Sequence, residues 1–560
     1  MDRRTFLKLT SVGAAGAAMP FGSSVEAATP SGTTLYNGIR LADPWPPRHR
    51  TFASTPVTPP YLVDPPAVIP IDLGRQLFVD DFLIEETTLT RTFHRAEYFH
   101  GNPILRPTTA WEKFDEGAVR TKTRSNPAAM VFSDGVFFDP KDRVFKMWYM
   151  GGYGQHTCYA TSHDGIDWNK PVLDVEAGTN IVWSGLRDSS TVWLDQETSD
   201  PRQRYKMSIY NGSEARALLY VSADGIHWGD IVAKTGPMGD RTTFFYNPFR
   251  KLWVFSLRDL IDDKIRARRY VETADFVAGC HWAKDEPVRW VAADAKDPKR
   301  ADYGYDPELY NLDCTPYESL VLGLFTMFRG ERDDREKPND ICVGYSRDGF
   351  HWTRPDRQAF IPVSERVGDW NWANVQSAGG GCLVVGDQLH FYVSGRSGVP
   401  GTNAPGVCAT GLATLRRDGF ASMGHAVDAD GVRRLDKPAG LLTTRPVRFS
   451  GRRLFVNADA EGGELRVEIL DREGRVVAPF TAAACAPIRG NRTAVGVDWS
   501  GGRDLSALAG TAVRFRFHLT KGRLYAFWVS ATDSGASGGY VAAGGPAFSG
   551  PTDTVGIGRP

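Results

Sequence analysis

Cysteine, unbalanced charge and helical periodicity are all scarce in this 560-residue chain. The seven cysteines, Cys158, Cys280, Cys314, Cys342, Cys382, Cys408 and Cys485, are scattered without Cys-x-x-Cys spacing, and an odd number leaves at least one thiol unpaired. The 11 histidines are isolated from one another, so no zinc-binding pattern stands out and neither metal nor cofactor is expected. Lys plus Arg and Asp plus Glu both number 66, giving a formal net charge of zero. A nucleic-acid or anionic-membrane partner would want a basic face, so neither is expected. After residue 120 no convincing amphipathic helix pattern appears, which argues against a TIM barrel.

What is present begins with a targeting segment. Arg3-Arg4-Thr5-Phe6-Leu7-Lys8 precedes an apolar run from Leu9 to Phe21, and Val25-Glu26-Ala27 offers small residues for cleavage. Twin arginines in this setting match a twin-arginine export signal over residues 1–28, so the mature chain is expected outside the cytoplasm, periplasmic or secreted. The run is too short and too rich in Gly and Ala for a membrane span. Such substrates fold before export, so buried reduced thiols are expected. Residues 29–70, rich in Pro, Thr and Ser, read as a linker or an extended wrap over the first blade of the adjoining domain.

One phrase recurs: Ser162-His163-Asp164-Gly165-Ile166-Asp167-Trp168, Ser222-Ala223-Asp224-Gly225-Ile226-His227-Trp228 and Ser346-Arg347-Asp348-Gly349-Phe350-His351-Trp352. Decayed copies stand at Thr273-Ala274-Asp275-Phe276, with Trp282 following, and at Arg417-Asp418-Gly419-Phe420. The five Asp positions repeat at a pitch of about 64 residues, the mark of one unit copied and stacked. In each copy Asp accepts backbone N–H groups two or three residues on, Gly takes a backbone conformation other residues resist, and Trp fills the gap between units. Between the turns lie short β-prone runs such as Val136–Asp139, Val144–Met150 and Thr157–Ser162. Blades of a β-propeller fit this pitch, and five turns imply five blades.

From Leu441 onward the chain changes to alternating strands, including Glu464–Leu470, Val513–Leu519 and Leu524–Trp528. These suffice for a small antiparallel β-sandwich shielding a propeller edge. The expected fold is therefore all-β: a five-bladed β-propeller over 71–435, a β-sandwich over 436–535 and a Gly-rich tail over 536–560.

In a propeller the inner strands of all blades begin near one mouth of the central channel, so residues distant in sequence converge there. Aligning blades on the first hairpin and reading back gives Asp188 in one blade, Asp240 in the next and Glu308 in the third. Convergent carboxylates suit glycoside cleavage: one acid protonates the leaving oxygen while an ionised partner attacks the anomeric carbon or activates water. A third carboxylate raises the acid's pKa by like-charge repulsion. Trp370-Asn371-Trp372-Ala373-Asn374-Val375-Gln376 brings a flat ring, Trp372, beside the amides Asn374 and Gln376, a combination that stacks on a sugar and reads its hydroxyls. Arg124, Asn126, Arg187 and Arg241 join them as substrate-binding candidates.

The pitch, the Ser-x-Asp-Gly-x-x-Trp turns, Arg187-Asp188 opening a blade and the carboxy-terminal strands together resemble the five-bladed propeller glycoside hydrolases. That superfamily includes fructan-cleaving invertases and levanases and the arabinofuranosidases, and the resemblance covers about residues 75 to 530. It implies Asp188 as nucleophile or base, Asp240 for pKa tuning and orientation, and Glu308 as general acid, with a furanosidic poly- or oligosaccharide among the expected substrates. The invertase Asn-Asp-Pro-Asn signature is not found; the nearest text is Arg124-Ser125-Asn126-Pro127, and a blade offset would make Asp134 the first carboxylate. A glycoside phosphorylase, which needs a cationic phosphate pocket, and a non-catalytic carbohydrate-binding propeller stand as alternatives.

Overall fold

The computed structural model describes residues 32–113, 126–425 and 440–557, so the twin-arginine segment lies outside it. Five antiparallel sheets are arranged as the blades of a propeller. Blade one is Ala129–Asp139, Val144–Gly151, His156–Ser162 and Ile181–Trp183; blade two is Ser190–Leu194, Tyr205–Asn211, Arg216–Ser222 and Ala233–Lys234. Blade three is Thr243–Asn247, Leu252–Ile261, Ile265–Thr273 and Val288–Ala292, and blade four is Glu308–Glu318, Leu320–Phe328 and Asp340–Ser346. Blade five, Asn374–Ser377, Gln388–Arg396 and Cys408–Arg416, takes its outer strand from Glu97–Tyr98, which pairs with Thr414 and Ala413. An amino-terminal segment thus locks the last blade.

The recurring turns follow from their side chains. Asp164 Oδ1 accepts the backbone N–H of Ile166 and of Asp167 at 2.8 and 2.9 Å, and Asp224, Asp275 and Asp348 repeat the pattern. Gly165, Gly225 and Gly349 sit at φ +77°, +81° and +81°, a region that favours glycine. Three of the turns also dock on a neighbouring blade through a carbonyl: Gly225 O accepts the Trp148 indole at 2.6 Å, Phe350 O the Trp290 indole at 2.7 Å, and Gly165 O the Tyr392 hydroxyl at 2.8 Å. The aromatic bodies fill the space between blades while their polar tips are satisfied. All seven cysteines are buried free thiols.

Polar links also join the inner strands around the channel. Arg187 reaches Asp134 between blades one and two, the Arg241 N–H reaches Ser189 Oγ between two and three, and Thr243 Oγ1 reaches Leu312 O between three and four. Ser377 Oγ donates to Asp313 between four and five, and Val136 N donates to Gly379 O between one and five.

Strand boundaries run differently from the 71–435 and 436–535 division expected. Among the described residues a nine-stranded sheet follows the propeller, and Gln76–Leu77, Ile84–Thr87, Thr90–Phe93 and Ala421–Gly424 belong to or pair with it. Its long strand Arg453–Leu470 pairs with Arg523–Ser530 through its first half and with Arg514–Thr520 through its second, bending the sheet around a core that includes Phe78, Val467 and Phe515. The 29–70 segment is more than a linker. Leu35, Ile39 and Tyr61 enter that core, Ile69–Pro70 pairs with Val447–Arg448, and Tyr36 stacks on Phe249 and hydrogen-bonds Ser319 O. It therefore wraps blades three and four, where apolar partners exist, and not blade one.

The Gly-rich tail is likewise built into the fold. Tyr540–Val541 pairs with Tyr317–Glu318 at the end of blade four opposite Glu308, and Ala543 O accepts Phe138 N while Ala543 N donates to Cys382 O. Beside it lies a buried ionic knot: Arg417 contacts Glu318 at 3.1 Å and Asp553 at 2.9 Å, Arg75 contacts Asp418 at 2.8 Å, and Ser537 donates to Glu318 at 2.7 Å. Propeller, sheet domain and tail meet there.

Candidate active site

The other end of the inner strands forms a rim. Asn126 and Asp188 lie just before the inner strands of blades one and two, Asp240 just before that of blade three, and Glu308 and Asn374 are the first residues of those in blades four and five. The rim therefore carries, in blade order, an amide, two aspartates, a glutamate and an amide.

The three carboxylates are held differently. Asp188 is the most open, its side chain 40% exposed, with Arg241 Nη2 at 3.7 Å from Oδ1 and no hydrogen bond to that oxygen. Asp240 pairs with Arg258, which projects from the second strand of the same blade. Glu308 uses Oε2 twice, accepting Arg266 N at 3.0 Å and Arg266 Nη1 at 2.7 Å. Burial first, and then Asp240 and Asp188, push the Tyr210 phenol up, so both carboxylates act on one hydroxyl.

Arg241 organises the centre. Its φ of +59° lies in the left-handed region, an uncommon conformation for a non-glycine residue. The guanidinium lies 3.5 Å from the Phe132 ring centroid and 5.4 Å from that of Tyr310. The Arg266 guanidinium is 5.2 Å from the same Tyr310 ring, so Tyr310 connects the arginine of Glu308 with that of Asp188. Beneath, buried Arg268 donates to the carbonyls of Arg241, Ser256 and Tyr310, pinning blades three and four together. Burial lowers its pKa to about 9, although Asp313 and Asp240 oppose this.

Deeper in the channel, Asp313 accepts from Ser377 at 2.5 Å and Asn311 at 2.9 Å, and burial pushes it up to about 7. Asp134 gives both oxygens to Arg187 at 2.8 Å, and both side chains are fully buried. Arg187 also donates from Nε to the Asp188 carbonyl at 3.1 Å. It is placed to hold the Asp188 backbone from below.

The remaining candidates sit as follows. Trp372 is buried under the Arg335 guanidinium, 4.8 Å from its ring, and its carbonyl accepts from that arginine at 2.6 Å. Asn374 donates to Lys337 O at 2.7 Å, and Gln376 donates to Asn374 Oδ1 at 2.9 Å, leaving the buried Gln376 Oε1 without a partner. The carbonyl of buried Asn126 accepts Tyr153 N at 3.1 Å. Arg124 lies outside the described residues.

Several rim residues escape a reading of the sequence. Arg258 and Arg266 flank a hairpin whose register must be known before they can be set beside Asp240 and Glu308. Phe132 enters because five residues of Ala129–Asp139 advance against two of Val144–Gly151, a large bulge that turns it out at φ +52°. Tyr310 escapes it for a similar reason: the strand register shifts between Leu309 and Asn311, so simple alternation from Glu308 does not place its ring.

No family profile matches the sequence. No curated protein matches it either. Among solved structures, the chain is similar to an N-acetylgalactosamine deacetylase from F. plautii in complex with blood group B trisaccharide, with 13% identity, 57% of this chain and 97% of that chain covered, and a TM-score of 0.37. A thermostable family-43 glycoside hydrolase aligns at 12% identity over 57% of this chain and 98% of its own, with a TM-score of 0.38. A fructofuranosidase from Schwanniomyces occidentalis complexed with fructosylnystose aligns at 10% identity over 75% and 98%, with a TM-score of 0.32.

Proposed function

We propose that this chain is a glycoside hydrolase that cleaves a poly- or oligosaccharide at the propeller rim with a carboxylate pair. The observation that supports this best is the convergence of Asp188, Asp240 and Glu308 at the same ends of successive inner strands, flanked by the amides of Asn126 and Asn374. Glycosidic cleavage needs one proton donor and one ionised carboxylate on either side of the bond. Asp188, the most exposed of the three, takes the part of nucleophile or base. Glu308 takes the part of acid, held in place through Oε2 by Arg266. Asp240, fixed by Arg258, orients the sugar ring.

Asn126 and Asn374 are buried, and the Phe132 and Tyr310 rings are packed beneath guanidinium groups, so these residues shape the rim from below. The twin-arginine segment supports an extracytoplasmic setting, where polymeric glycans are met. Furanosides are the first substrates to test, because the resemblance of the repeats and of Arg187-Asp188 points to them. The test is release of reducing sugar from a panel of aryl furanosides and pyranosides by purified protein; no turnover on any member, with unimpaired glycan binding, would replace the hydrolase with a binding propeller.

A further inference from the structure

We infer that the rim takes a sugar bearing an oxyanion, a uronate carboxylate or a sulfate, with Arg241, Arg396 and Lys337 as its binding groups; this rests on the reading of the rim as a glycan site. Arg241 and Arg396 are 5% and 3% exposed, yet among the described residues four of their nitrogens have no hydrogen-bond partner: Nε and Nη1 of Arg241, and Nε and Nη2 of Arg396. A buried charged donor without an acceptor is costly, and such groups are paired or ligand-bound in functional proteins. Both guanidinium groups face the Phe132 ring, at 3.5 and 5.8 Å from its centroid. Lys337 Nζ is 5.8 Å from the Tyr310 centroid and forms no ion pair among the described residues.

Arg396 Nη1 is paired with Glu336 at 2.5 Å and Arg241 Nη2 has Asp188 at 3.7 Å, which leaves the other nitrogens of both guanidinium groups, and Lys337 among the described residues, without a carboxylate in contact. Their combined field shows on Tyr310: burial pushes the phenol up, yet Arg241, Lys337 and Arg396 together bring it below its ordinary value. Neutral sugars offer only hydroxyls to such donors. The planar fork of a guanidinium matches a carboxylate or sulfate, with two parallel hydrogen bonds.

The test is calorimetric binding, read without turnover, of oligogalacturonate, oligomannuronate and a sulfated galacto-oligosaccharide against neutral oligosaccharides of the same length, with inorganic phosphate alone as a further arm. The expected result is at least tenfold tighter binding of one acidic ligand than its neutral partner. That preference should fall at least fivefold in Lys337→Met, with thermal unfolding unchanged, and in Arg396→Lys. Equal or tighter binding of the neutral partners, or no binding of any acidic glycan, overturns the inference. So does phosphate binding alone that matches the acidic sugars, which would mark a phosphorolytic acceptor site. A chain that binds acidic glycans and cleaves nothing would sink the hydrolase reading while leaving the pocket intact; one that cleaves only neutral glycans would do the reverse.

Discussion

Arg187 and Asp134 form a two-pronged ion pair, 2.8 Å in each arm, sealed from solvent between blades one and two directly beneath Asp188. Removing one partner leaves the other charged and unpaired in the interior. Arg187→Met is therefore expected to destabilise the fold by about 3–5 kcal/mol, read as a lower denaturant midpoint. Replacing both residues together with apolar side chains should recover much of that loss. If the single variant unfolds at the wild-type midpoint, the pair does not clamp the blades.

The repeated turns make a second prediction. Gly225 has φ +81°, and a Cβ there would run into the Trp148 ring of the neighbouring blade, whereas Gly178 has φ +82° with open space around it. Gly225→Ala should cost about 3 kcal/mol, backbone strain plus overpacking. Gly178→Ala should cost only about 1 kcal/mol. Thermal unfolding of the two variants separates backbone from packing; equal losses would show that the turn does not serve as a wedge between blades.

Asp313 makes stability depend on pH. Burial raises its folded pKa to about 7 from the ordinary carboxyl value of 3.8. Its folded carboxyl therefore holds a proton where the unfolded one has lost it. That contribution is complete below the unfolded value and disappears as pH rises through about 7, because the native state binds more protons across this interval. Asp313→Asn, which does not titrate, should gain on the wild type by up to about 4 kcal/mol between about pH 4 and pH 8. Denaturation curves at several pH values check the sign; a stability of Asp313→Asn that falls relative to wild type as pH rises contradicts it.

How much of this was legible beforehand differs by range of interaction. The five blades follow from Asp, Gly and Trp chemistry confined to seven residues, so local sequence suffices for them. Ring closure by Glu97–Tyr98 and the docking of Tyr540–Val541 on Tyr317–Glu318 join segments hundreds of residues apart. No local pattern marks either, which is why residues 76–93 read as propeller and 536–560 as a Gly-rich tail. At the rim, the strand starts set Asp188, Asp240 and Glu308 at the same end of successive blades. Their arginine partners depend on hairpin register, and Phe132 on a bulge.

The tail gives a fourth prediction. Asp553 and Ser537 contact a knot that includes Glu318 of blade four and Arg417 just after the last strand of blade five. Asp553→Ala removes one of the two carboxylates that face Arg417 and should cost about 2–4 kcal/mol. Limited proteolysis should then cut within 531–557 before the propeller; unchanged protection of that segment would show that the tail is held by its strand pairing alone.

The central claim is that the rim carboxylates break a glycosidic bond. The most direct measurement is reducing-sugar release by wild type, Asp188→Asn and Glu308→Gln on whichever glycan the wild type cleaves, with binding measured in parallel. Each variant should lose at least about a hundredfold in turnover while binding the glycan and unfolding at the wild-type temperature. Wild-type turnover in both would contradict the account and move the chemistry away from this rim.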